Sequence, residues 1–399
     1  MTNTGSGDAL MGEHAQELKT DAEFVELING QRSKLGFSAS VLVGAAVEDL
    51  SGNINRVRRI RLQFKDGSKM SFVIKHVPAE GRLERYPEIV FPDSRLDFEV
   101  LWFGLAERLA VSNADVKTPH VHHFDKRKRL MIMEDLEPQC SLGDLLRHKE
   151  NAAGRLLVRL GRFLGRVHGN FAGPGVINPS AAQNRPFVFT LPLMEADKMR
   201  LIWQEAERLR SREQCSSSVS LKERIELQDR YLKGAAQQVL PLIRNLERTF
   251  RESSLNVLTH GDLHTDSVLV LANDGLGVVD AELCDYGCPG FDLGMFCAHL
   301  WANRLVCGMK KRESVRELES FMASYTSEFF DTRGASKEEL FNLYESSIMH
   351  CGAEIVRRLL GAAGFNFALS RVQFEELLQD GTRFLLAARE WSDELLKRG

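Results

Sequence analysis

The sequence predicts an α+β protein in which a small β-rich lobe is followed by a larger helical lobe. The spacing of the apolar residues carries this prediction, because it changes near Pro138. Before that point, short runs with high β propensity alternate with turn residues, as in strands. After it, apolar residues recur at intervals of three and four almost throughout, as in amphipathic helices. With 399 residues and 43% hydrophobic content, the chain is long enough to bury two cores.

The first lobe is predicted to contain four strands and one helix, preceded by an N-terminal extension with a short helix. Residues 1–19 are rich in Gly, Ser, Thr and Asn and are expected to be disordered. A short helix follows, with Asp21 as its N-cap. A longer helix is predicted at 94–110. The strands are predicted at 41–50, 56–65, 70–77 and 129–135, with the turn DGSK between the second and the third.

The second lobe is predicted to be helical with one short β insertion. The helical spacing covers 141–171, 195–213, 221–252, 313–331, 337–363 and 372–396. The run at 258–283 interrupts it, and its turn ANDG indicates a hairpin set among helices. The predicted organisation is an N-terminal extension with a short helix at 1–35, a first lobe at 36–137 and a second lobe at 138–399.

Composition and charge exclude several classes of partner. The net charge of −3 and the pI near 6.4 favour neither nucleic acid nor anionic lipid. Neither a membrane-spanning apolar run nor a signal peptide is expected, so the predicted location is the cytoplasm. Seven cysteines in such a chain are expected to be reduced. The residues predicted here as packing or loop positions rather than metal ligands are Cys284, Cys288, Cys297, His120, His122 and His123.

Two acidic clusters follow apolar runs within residues 258–283. Asp262 comes after a His-Gly pair that indicates a tight turn, and Asp280 follows the apolar run LGVV. In an extended chain residues two apart face the same side, so Asp280 and Glu282 are predicted to grip one cation. Phosphoryl transfer uses carboxylates that hold Mg²⁺ and a separate carboxylate that accepts the proton of the attacking hydroxyl. The layout fits that division.

These motifs resemble a known family. HGDLH at 260–264, followed by DAE, resembles the HGDxH and D-x-E motifs of the aminoglycoside phosphotransferase and choline kinase-like superfamily. Within it, the chain resembles the methylthioribose kinase family, which reads HGDLHTGS, VIDPEF and YGP-x-GFD where this chain reads HGDLHTDS, VVDAEL and YGCPGFD. CGAEIVRRLLGAAGF is similar to a late helix with twin arginines. The stretches SGNINRV, FVIKHV, IMEDL and NRPFVFTLP extend the resemblance over 36–390.

The resemblance implies a protein-kinase-like bilobal fold, with the first lobe binding nucleotide and the second carrying catalysis and the acceptor site. It also implies ATP and Mg²⁺ as cofactors, and phosphorylation of the anomeric hydroxyl of 5-methylthioribose in methionine salvage. Asp262 would be the catalytic base and contact the substrate, together with Arg357 and Arg358. Asp280 and Glu282 would bind the metal. The nucleotide-binding residues would be Gly52, Asn53, Lys75, Glu99, Glu134 and Leu136. A homodimer is expected because family members often pair.

Each implied role has a simpler structural alternative. SGN is also an ordinary turn, and a strand lysine such as Lys75 usually faces solvent. Asp97 rivals Glu99 as the partner of Lys75, since side chains two apart on a helix do not share a face. Adjacent arginines diverge by about 100° on a helix, so at most one of the pair 357–358 is expected to lie fully on the face of Glu354 and the other to need a different partner.

Departures from the family pattern leave the acceptor open. Asp266 replaces a glycine, Ala281 a proline and Leu283 an aromatic residue, and Phe91 lies nearest to a missing tryptophan. The alternative is a phosphotransferase of the same fold that acts on another hydroxylated metabolite or an aminoglycoside-type antibiotic. Only Asp266 and Asp285 near the motif would favour a polycationic drug. A nucleotide-binding pseudokinase is disfavoured, because the lysine and the three motif acids are retained.

Overall fold

The computed structural model describes residues 20–37, 41–50, 55–77, 81–83, 86–110, 115–148, 153–173, 175, 178–210, 219–334 and 336–398. The predicted disorder of 1–19 and the predicted phosphate-loop residues Gly52 and Asn53 lie outside these residues. By internal contacts the chain divides into a sheet unit (Met1–Ala79 and His122–Glu134) and a helical unit (Glu80–Val121 and Asp135–Gly399). The lobes proposed at 36–137 and 138–399 remain a proposal.

The strands follow one another as β1 (Leu42–Asp49), β2 (Arg56–Phe64), β3 (Lys69–His76), β4 (Gly81–Leu83), β5 (Tyr86–Phe91), β6 (Val116–Lys117), β7 (Val121–Asp125), β8 (Leu130–Glu134), β9 (Cys140–Ser141), β10 (Val257–Thr259), β11 (Val268–Val270), β12 (Leu276–Val278) and β13 (Asp285–Gly287). The helices are α1 (Asp21–Gly30), α2 (Arg95–Ala110), α3 (Leu142–Arg147), α4 (Ala153–Asn170), α5 (Pro179–Val188), α6 (Leu191–Met194), α7 (Ala196–Arg210), α8 (Leu221–Lys233), α9 (Ala236–Thr249), α10 (Gly290–Val306), α11 (Lys311–Arg333), α12 (Lys337–Leu360), α13 (Arg371–Leu386) and α14 (Ala388–Arg398).

The sheet unit is built on a five-stranded sheet in the order β1-β2-β3-β8-β7, in which β1, β2, β3 and β8 pair antiparallel. All four predicted strands and the DGSK turn are confirmed. Phe24 and Ile28 of α1 pack into the same core as Ile60 and Ile74 of the sheet. The cap prediction is wrong by one residue: Thr20, not Asp21, caps α1, and it forms a capping box with Glu23.

A second correction concerns the histidines at 120–123, which were predicted to lie in a solvated loop. His122 and His123 belong to β7, the edge strand of the five-stranded sheet. His122 packs edge-on against Phe72, with 5.4 Å between the ring centroids. Because His122 and His123 are both polar, the sequence does not show the alternation of polar and apolar residues that marks a half-buried strand.

The helical unit confirms the change of spacing after Pro138. Three predicted helical stretches are each two helices in the structure: 141–171 comprises α3, which has its C-cap at His148, and α4, while the chain breaks at Gly234 between α8 and α9 and at Ala387 between α13 and α14. Gly161 of α4 lets α11 approach closely, since a Cβ there would lie 2.6 Å from the carbonyl oxygen of Phe321. The cysteines that the structure describes carry free thiols, as expected. Within the described residues, the helices are too short or too polar to cross a bilayer.

The predicted hairpin is also confirmed. β11 pairs antiparallel with β12, and a turn at Ala272–Asp274 joins them. The hairpin belongs to a four-stranded sheet in the order β6-β12-β11-β9, while β10 pairs with β13. The strands β6, β9 and β13 have only two or three residues, too few to show a period in the sequence. The pairing of β10 with β13 and of β11 with β12 sets the ends of two loops, one with Asp262 and one with Asp280 and Glu282.

Candidate active site

A tight loop at 260–267, here called the catalytic loop, connects β10 to β11. Gly261 has a left-handed backbone with φ 88°. A Cβ at this position would lie 1.9 Å from the carbonyl oxygen of Leu283, so only glycine fits. The predicted tight turn is therefore present, and it holds the backbone of the catalytic loop against the residues that follow β12.

A buried carboxylate near the start of α10 fixes the first residues of this loop. Asp292 is fully buried, and its two oxygens accept hydrogen bonds from the backbone N–H groups of His260 and Gly261. His168 Nε2 lies 3.2 Å from Asp292 Oδ2, and His168 Nδ1 lies 2.9 Å from the hydroxyl of Tyr325. These anchors were not predicted as site residues. Asp292 ends the GFD stretch that carries part of the family resemblance, which was the available signal.

The two histidines of the motif hold the turn by accepting backbone hydrogen bonds. Nδ1 of His264 accepts from the N–H groups of Asp266 and Ser267, both at 3.2 Å. In the neutral ring the proton is then on Nε2, which lies 3.9 Å from Asp262 Oδ2. His260 is buried, and burial lowers its pKa: its Nδ1 accepts from the N–H of Asp262 at 3.4 Å, and its Nε2 donates to the carbonyl oxygen of Val279 at 2.9 Å. Both rings thus stiffen the loop around Asp262.

Asp262 projects from this loop with about a third of its side chain exposed (34%). Its Oδ1 lies 3.5 Å from an Nη of Arg358. Burial opposes ionisation of the carboxyl group, but the nearby His264, Arg358 and Arg357 outweigh it, so the pKa of Asp262 lies below its ordinary value. Asp262 therefore carries a stable negative charge at neutral pH.

Both arginines of α12 bind the same carboxylate, which corrects the expectation that only one lies on its face. Arg357 donates to both oxygens of Glu354, and Arg358 Nε donates to Oε1 at 2.7 Å. Their long side chains overcome the divergence of the Cα–Cβ directions. Arg358 has further contacts, to Asp262 and to the carbonyl oxygen of Gly364 at 3.3 Å. Of the two arginines, Arg358 is thus the one that reaches the proposed base.

Glu354 is buried in this cluster and remains ionised. Burial disfavours its charge, but Arg357 and Arg358 outweigh that effect and hold the pKa of Glu354 well below its ordinary value. His299 Nε2 lies 3.3 Å from Oε1 of Glu354. Burial, reinforced by the positive charge of Arg358, lowers the pKa of His299 to about 3, so its ring is neutral. The cluster is consequently two cations around one anion, with Asp262 as the second anion.

The loop at 279–285, here called the DAE loop, carries Asp280 and Glu282. The premise that this stretch is extended is wrong: Asp280 has φ 64°, and Glu282 lies in a turn. Asp280 is exposed, whereas the Glu282 side chain is 12% exposed and its Oε2 lies 3.6 Å from Nε of Arg95, which is fully buried. That both acids bind one metal ion stays a prediction, and it no longer follows from strand alternation.

Asn178, the N-cap of α5, fixes the backbone of the DAE loop. Its Nδ2 donates to the carbonyl oxygens of Glu282 at 3.0 Å and Cys284 at 2.9 Å. The buried Asp285 accepts from the N–H of Asn178 at 3.2 Å and binds Arg251. Neither Asn178 nor Arg95 was predicted, because each lies about a hundred residues or more from the loop it holds.

One further cluster offers several metal-binding atoms. Ligand atoms of His264, Asp266 and His299 all lie within 4.8 Å of one another. The two imidazole rings, however, are stacked at 5.1 Å with an angle of 24° between their planes. Because ring-nitrogen lone pairs lie in the ring plane, stacked rings cannot aim well at one ion. Nδ1 of His264 is already used by backbone N–H groups. The cluster is better explained as packing.

The residues predicted to bind nucleotide fall into both units. Lys75 is buried in β3, opposite Val57 of β2 and Met131 of β8, so it is not the surface lysine of the simpler alternative. Glu134 ends β8. In the helical unit Glu99 is the more buried of the two rival acids of α2, and Leu136 is buried too. Pairing of Lys75 with Glu99 stays a prediction.

Comparison with known proteins agrees with these motifs. The model of the phosphotransferase enzyme family matches residues 51–325. A methylthioribose kinase of Exiguobacterium sibiricum is 24% identical over 350 residues, which cover 78% of this chain and 78% of that protein. A methylthioribose kinase of an Enterobacter species is 25% identical over 271 residues, 61% of this chain and 64% of that protein. The crystal structure of an aminoglycoside phosphotransferase from Alicyclobacillus acidocaldarius shows 13% identity and a TM-score of 0.47, and covers 89% of this chain and 93% of that one.

The family match covers more than half of the chain and includes both acidic loops. It confirms the resemblance to the aminoglycoside phosphotransferase and choline kinase-like superfamily, and the observed sheet unit and helical unit confirm the α+β class. An ionised carboxylate on a rigid turn, with arginines beside it and further acids on the next loop, is a suitable arrangement for transfer of phosphate to a hydroxyl group. The chain belongs to the phosphotransferase enzyme family and is an enzyme that phosphorylates a hydroxyl acceptor.

Proposed function

We propose that the protein is an ATP-dependent kinase that phosphorylates a sugar hydroxyl, with 5-methylthioribose at its anomeric position as the acceptor and methionine salvage as the setting. The observation that carries the proposal is the contact of Arg358 with both Asp262 and Glu354. This arrangement puts the arginines of the late helix beside the HGDLH loop. The relatives named methylthioribose kinase support the choice of acceptor.

Asp262 is proposed to orient the acceptor hydroxyl and to take its proton late in the reaction. A carboxylate with a lowered pKa is a weak base at neutral pH, but it is a constant hydrogen-bond acceptor. Phosphoryl transfer passes through a loose transition state, so alignment of the hydroxyl matters more than early removal of its proton. The rigid turn around Asp262 meets that need.

Arg358 is proposed to bind the acceptor or the phosphoryl oxygens directly. Arg357 uses Nε and one Nη on Glu354, which leaves its other Nη as the donor for the substrate. Glu354 offsets part of the positive charge, so that two arginines can be buried side by side. Five fixed donors in a guanidinium suit ring hydroxyls and phosphate oxygens.

ATP and Mg²⁺ complete the proposal. The donor set fits Mg²⁺, because Asp280 and Glu282 supply carboxylate oxygens and Asp280 is exposed. Asp280 and Glu282 would hold the ion, which would neutralise negative charge on the transferring group. Lys75 is proposed to bind the α- and β-phosphates, with Glu99 as its partner, and Glu134 and Leu136 to border the nucleotide base. Gly52 and Asn53 are proposed to approach the phosphates through their backbone and amide.

The aminoglycoside alternative receives less support from the structure. A polycationic acceptor needs several acidic groups, and Asp266 and Asp285 were the two expected near the motif. Asp285 is buried and bonded to Arg251. Of these two acids, only Asp266 keeps part of its side chain exposed, and one added acid supports a polycationic acceptor less than a small neutral sugar. The free thiols of the described cysteines support a reducing cytoplasmic setting. A homodimer remains part of the proposal.

The proposed function is tested by measuring ADP release from Mg-ATP with one of five acceptors: methylthioribose, 5-deoxyribose, ribose, choline or kanamycin. Phosphorus NMR then identifies the phosphorylated position of the product. The expected result is a methylthioribose-dependent signal at the anomeric carbon. Protein carrying Asp262→Asn, prepared in parallel, controls for a contaminating kinase. Turnover of kanamycin or choline with none of methylthioribose would overturn the assignment of acceptor and keep that of phosphotransferase.

A further inference from the structure

Asp266, which stands where the resembling family has glycine, joins three segments of the helical unit. Its Oδ1 lies 3.1 Å from Oγ of Ser141, the N-cap of α3, and shares the single hydroxyl proton with Oδ2 of Asp144 at 2.8 Å. Its Oδ2 accepts a hydrogen bond from Nδ2 of Asn366 at 3.0 Å. The catalytic loop is thereby tied to the start of α3 on one side and to the chain that follows α12 on the other.

That chain, residues 361–367, here called the acceptor segment, is attached to its surroundings through four consecutive residues, 364–367. Arg358 donates to the carbonyl oxygen of Gly364 at 3.3 Å. The ring of Phe365 packs edge-on against His299 at 5.1 Å. The guanidinium of Arg147 lies 5.3 Å from the centre of the Phe367 ring. Arg358 also contacts Asp262, and His299 lies 3.3 Å from Glu354, so the acceptor segment lies beside the side chains that surround Asp262.

The attachment of Asn366 differs from the other three because it joins two side chains that both reach solvent. Asn366 is exposed and Asp266 half-buried. Such a hydrogen bond contributes little to the stability of the fold, but it sets the position of two flexible groups. Gly143 leaves the space for the acid, since a Cβ there would lie 2.3 Å from Oδ1 of Asp266. Gly143, Asp266 and Asn366 thus form one consistent local arrangement, in which the glycine leaves room for the carboxylate and the amide donates to it.

Asp266 also lies close to the reacting centre. One of its carboxylate oxygens is within 4.8 Å of ring nitrogens of both His264 and His299. His264 in turn lies 3.9 Å from the carboxylate of Asp262. A shift of the acceptor segment at Asn366 therefore changes the space beside the catalytic aspartate.

We propose that the Asp266–Asn366 hydrogen bond selects the acceptor by holding the acceptor segment against the catalytic loop. Asp266 and Asn366 are positioning residues in this role: they act through the acceptor segment that they fix. In the closed position the acceptor segment admits a small sugar such as a pentose, and release of the acceptor segment admits bulkier hydroxylated acceptors. The inference rests on the proposed function for its choice of sugar, and on geometry for the role of the pair.

Three variants and one control test the pair. Asp266→Gly restores the family residue and removes both hydrogen bonds. Asn366→Ala removes the amide alone. The swapped double variant Asp266→Asn/Asn366→Asp exchanges carboxylate and amide and so restores the hydrogen bond. Asp197→Asn removes an acidic charge from α7 at an exposed position, with 93% of its side chain in solvent, and serves as the matched control.

The expected result is a rise of about tenfold in the KM for the small acceptor in the two single variants, with the KM for ATP unchanged and the ratio of kcat/KM between small and bulky acceptors lowered. The double variant is expected to recover most of that ratio, and the control to match the unaltered protein. If the charge at position 266 alone mattered, Asn366→Ala would match the unaltered protein and the double variant would match Asp266→Gly. Equal acceptor ratios in all variants would overturn the proposal.

Hydrogen exchange separates this proposal from the assignment of the sugar. Amides of the acceptor segment are expected to exchange faster in Asp266→Gly than in the unaltered protein, and the double variant is expected to restore protection, whichever acceptor the enzyme uses. If no acceptor of the panel is turned over, the proposed substrate fails and exchange alone decides. Unchanged exchange in Asp266→Gly would show that the pair does not hold the segment.

Discussion

The catalytic loop and the DAE loop carry the proposed catalytic acid groups and are held in different ways. The catalytic loop is fixed from inside, since Asp292 binds two of its N–H groups and its own histidines accept others. The DAE loop is fixed from outside by Asn178 on its backbone and Arg95 beside Glu282, and Asp280 stays exposed. One loop presents a preset side chain, and the other presents carboxylates at its surface.

The difference agrees with the roles proposed for the two loops. A group that aligns a hydroxyl must be placed within a few tenths of an ångström before the substrate arrives. A Mg²⁺ ligand can adjust, because the ion keeps several waters and enters together with the nucleotide phosphates. Interior hydrogen bonds provide the first property, and an exposed carboxylate on a turn allows the second. Substitutions on each side should therefore change different kinetic constants.

The largest expected effect comes from Asp262→Ala. Loss of the carboxylate should lower kcat by about 10³, because both alignment of the hydroxyl and acceptance of its proton are lost. The KM for ATP should remain within about twofold, since the proposed role involves only the acceptor. Steady-state ADP release with varied ATP measures both constants. A wild-type rate would rule out the role.

Asp292→Asn should have the next largest effect, and it tests whether the catalytic loop needs its interior anchor. The amide cannot accept from both N–H groups and His168 as the carboxylate does, so kcat should fall by about 10² and the free energy of unfolding by about 2–4 kcal/mol. Asp380→Asn is the matched control, because Asp380 is buried and binds Trp301 and Lys311 away from the loop. The control should lose stability but keep its kcat. Equal losses of kcat in Asp292→Asn and Asp380→Asn would contradict the role of Asp292 as the anchor of the catalytic loop.

Sequence patterns placed the acids but not the groups that hold them. Asp262 was found because its motif is local, and the β11–β12 hairpin because its turn and apolar runs are adjacent. Asp292 and Asn178 are far from the loops they bind, so only the tertiary fold brings them together. Glu354 was noticed as a neighbour of the twin arginines, yet the helical angle between adjacent residues underestimated how far long side chains can bend.

The DAE loop shows a second limit of sequence reasoning. Alternation along a strand predicts a shared face for Asp280 and Glu282 only while the chain stays extended. The strand β12 ends at Val278, and Asp280 adopts a left-handed backbone. A single such residue reverses the direction of the following side chains, and aspartate is one of the few residue types that tolerate it. The residue types of the pair suit a cation, which stays a prediction, and their geometry could not be predicted from the sequence.

Arg95→Lys should change the metal requirement and leave the catalytic loop intact. A lysine keeps the charge but reaches Glu282 with different geometry, so the Mg²⁺ concentration for half-maximal rate should rise by about tenfold. Arg304→Lys is the matched control, since Arg304 is equally buried and pairs with Glu317. Binding of Mn²⁺ in the presence of ATP, followed by electron paramagnetic resonance, should weaken in step. An unchanged metal titration would show that Arg95 serves the fold alone.

The smallest expected effect is a difference in acid sensitivity between the two loops. Burial lowers the pKa of His260, and Nδ1 of that ring lies 3.4 Å from the N–H of Asp262, whereas the DAE loop is held by asparagine and arginine side chains. Since the folded pKa of His260 is below its unfolded value near 6.5, its contribution to stability is fully present above that pH and is lost as the pH falls towards the folded pKa. Between pH 7 and 6 the local opening of the catalytic loop should increase relative to that of the DAE loop, by at most about threefold for one proton bound at an unfolded pKa near 6.5. Amide exchange of both loops in the same sample cancels the pH dependence of intrinsic exchange. Equal ratios at both pH values would mean that the interior anchoring of the catalytic loop does not depend on a neutral His260.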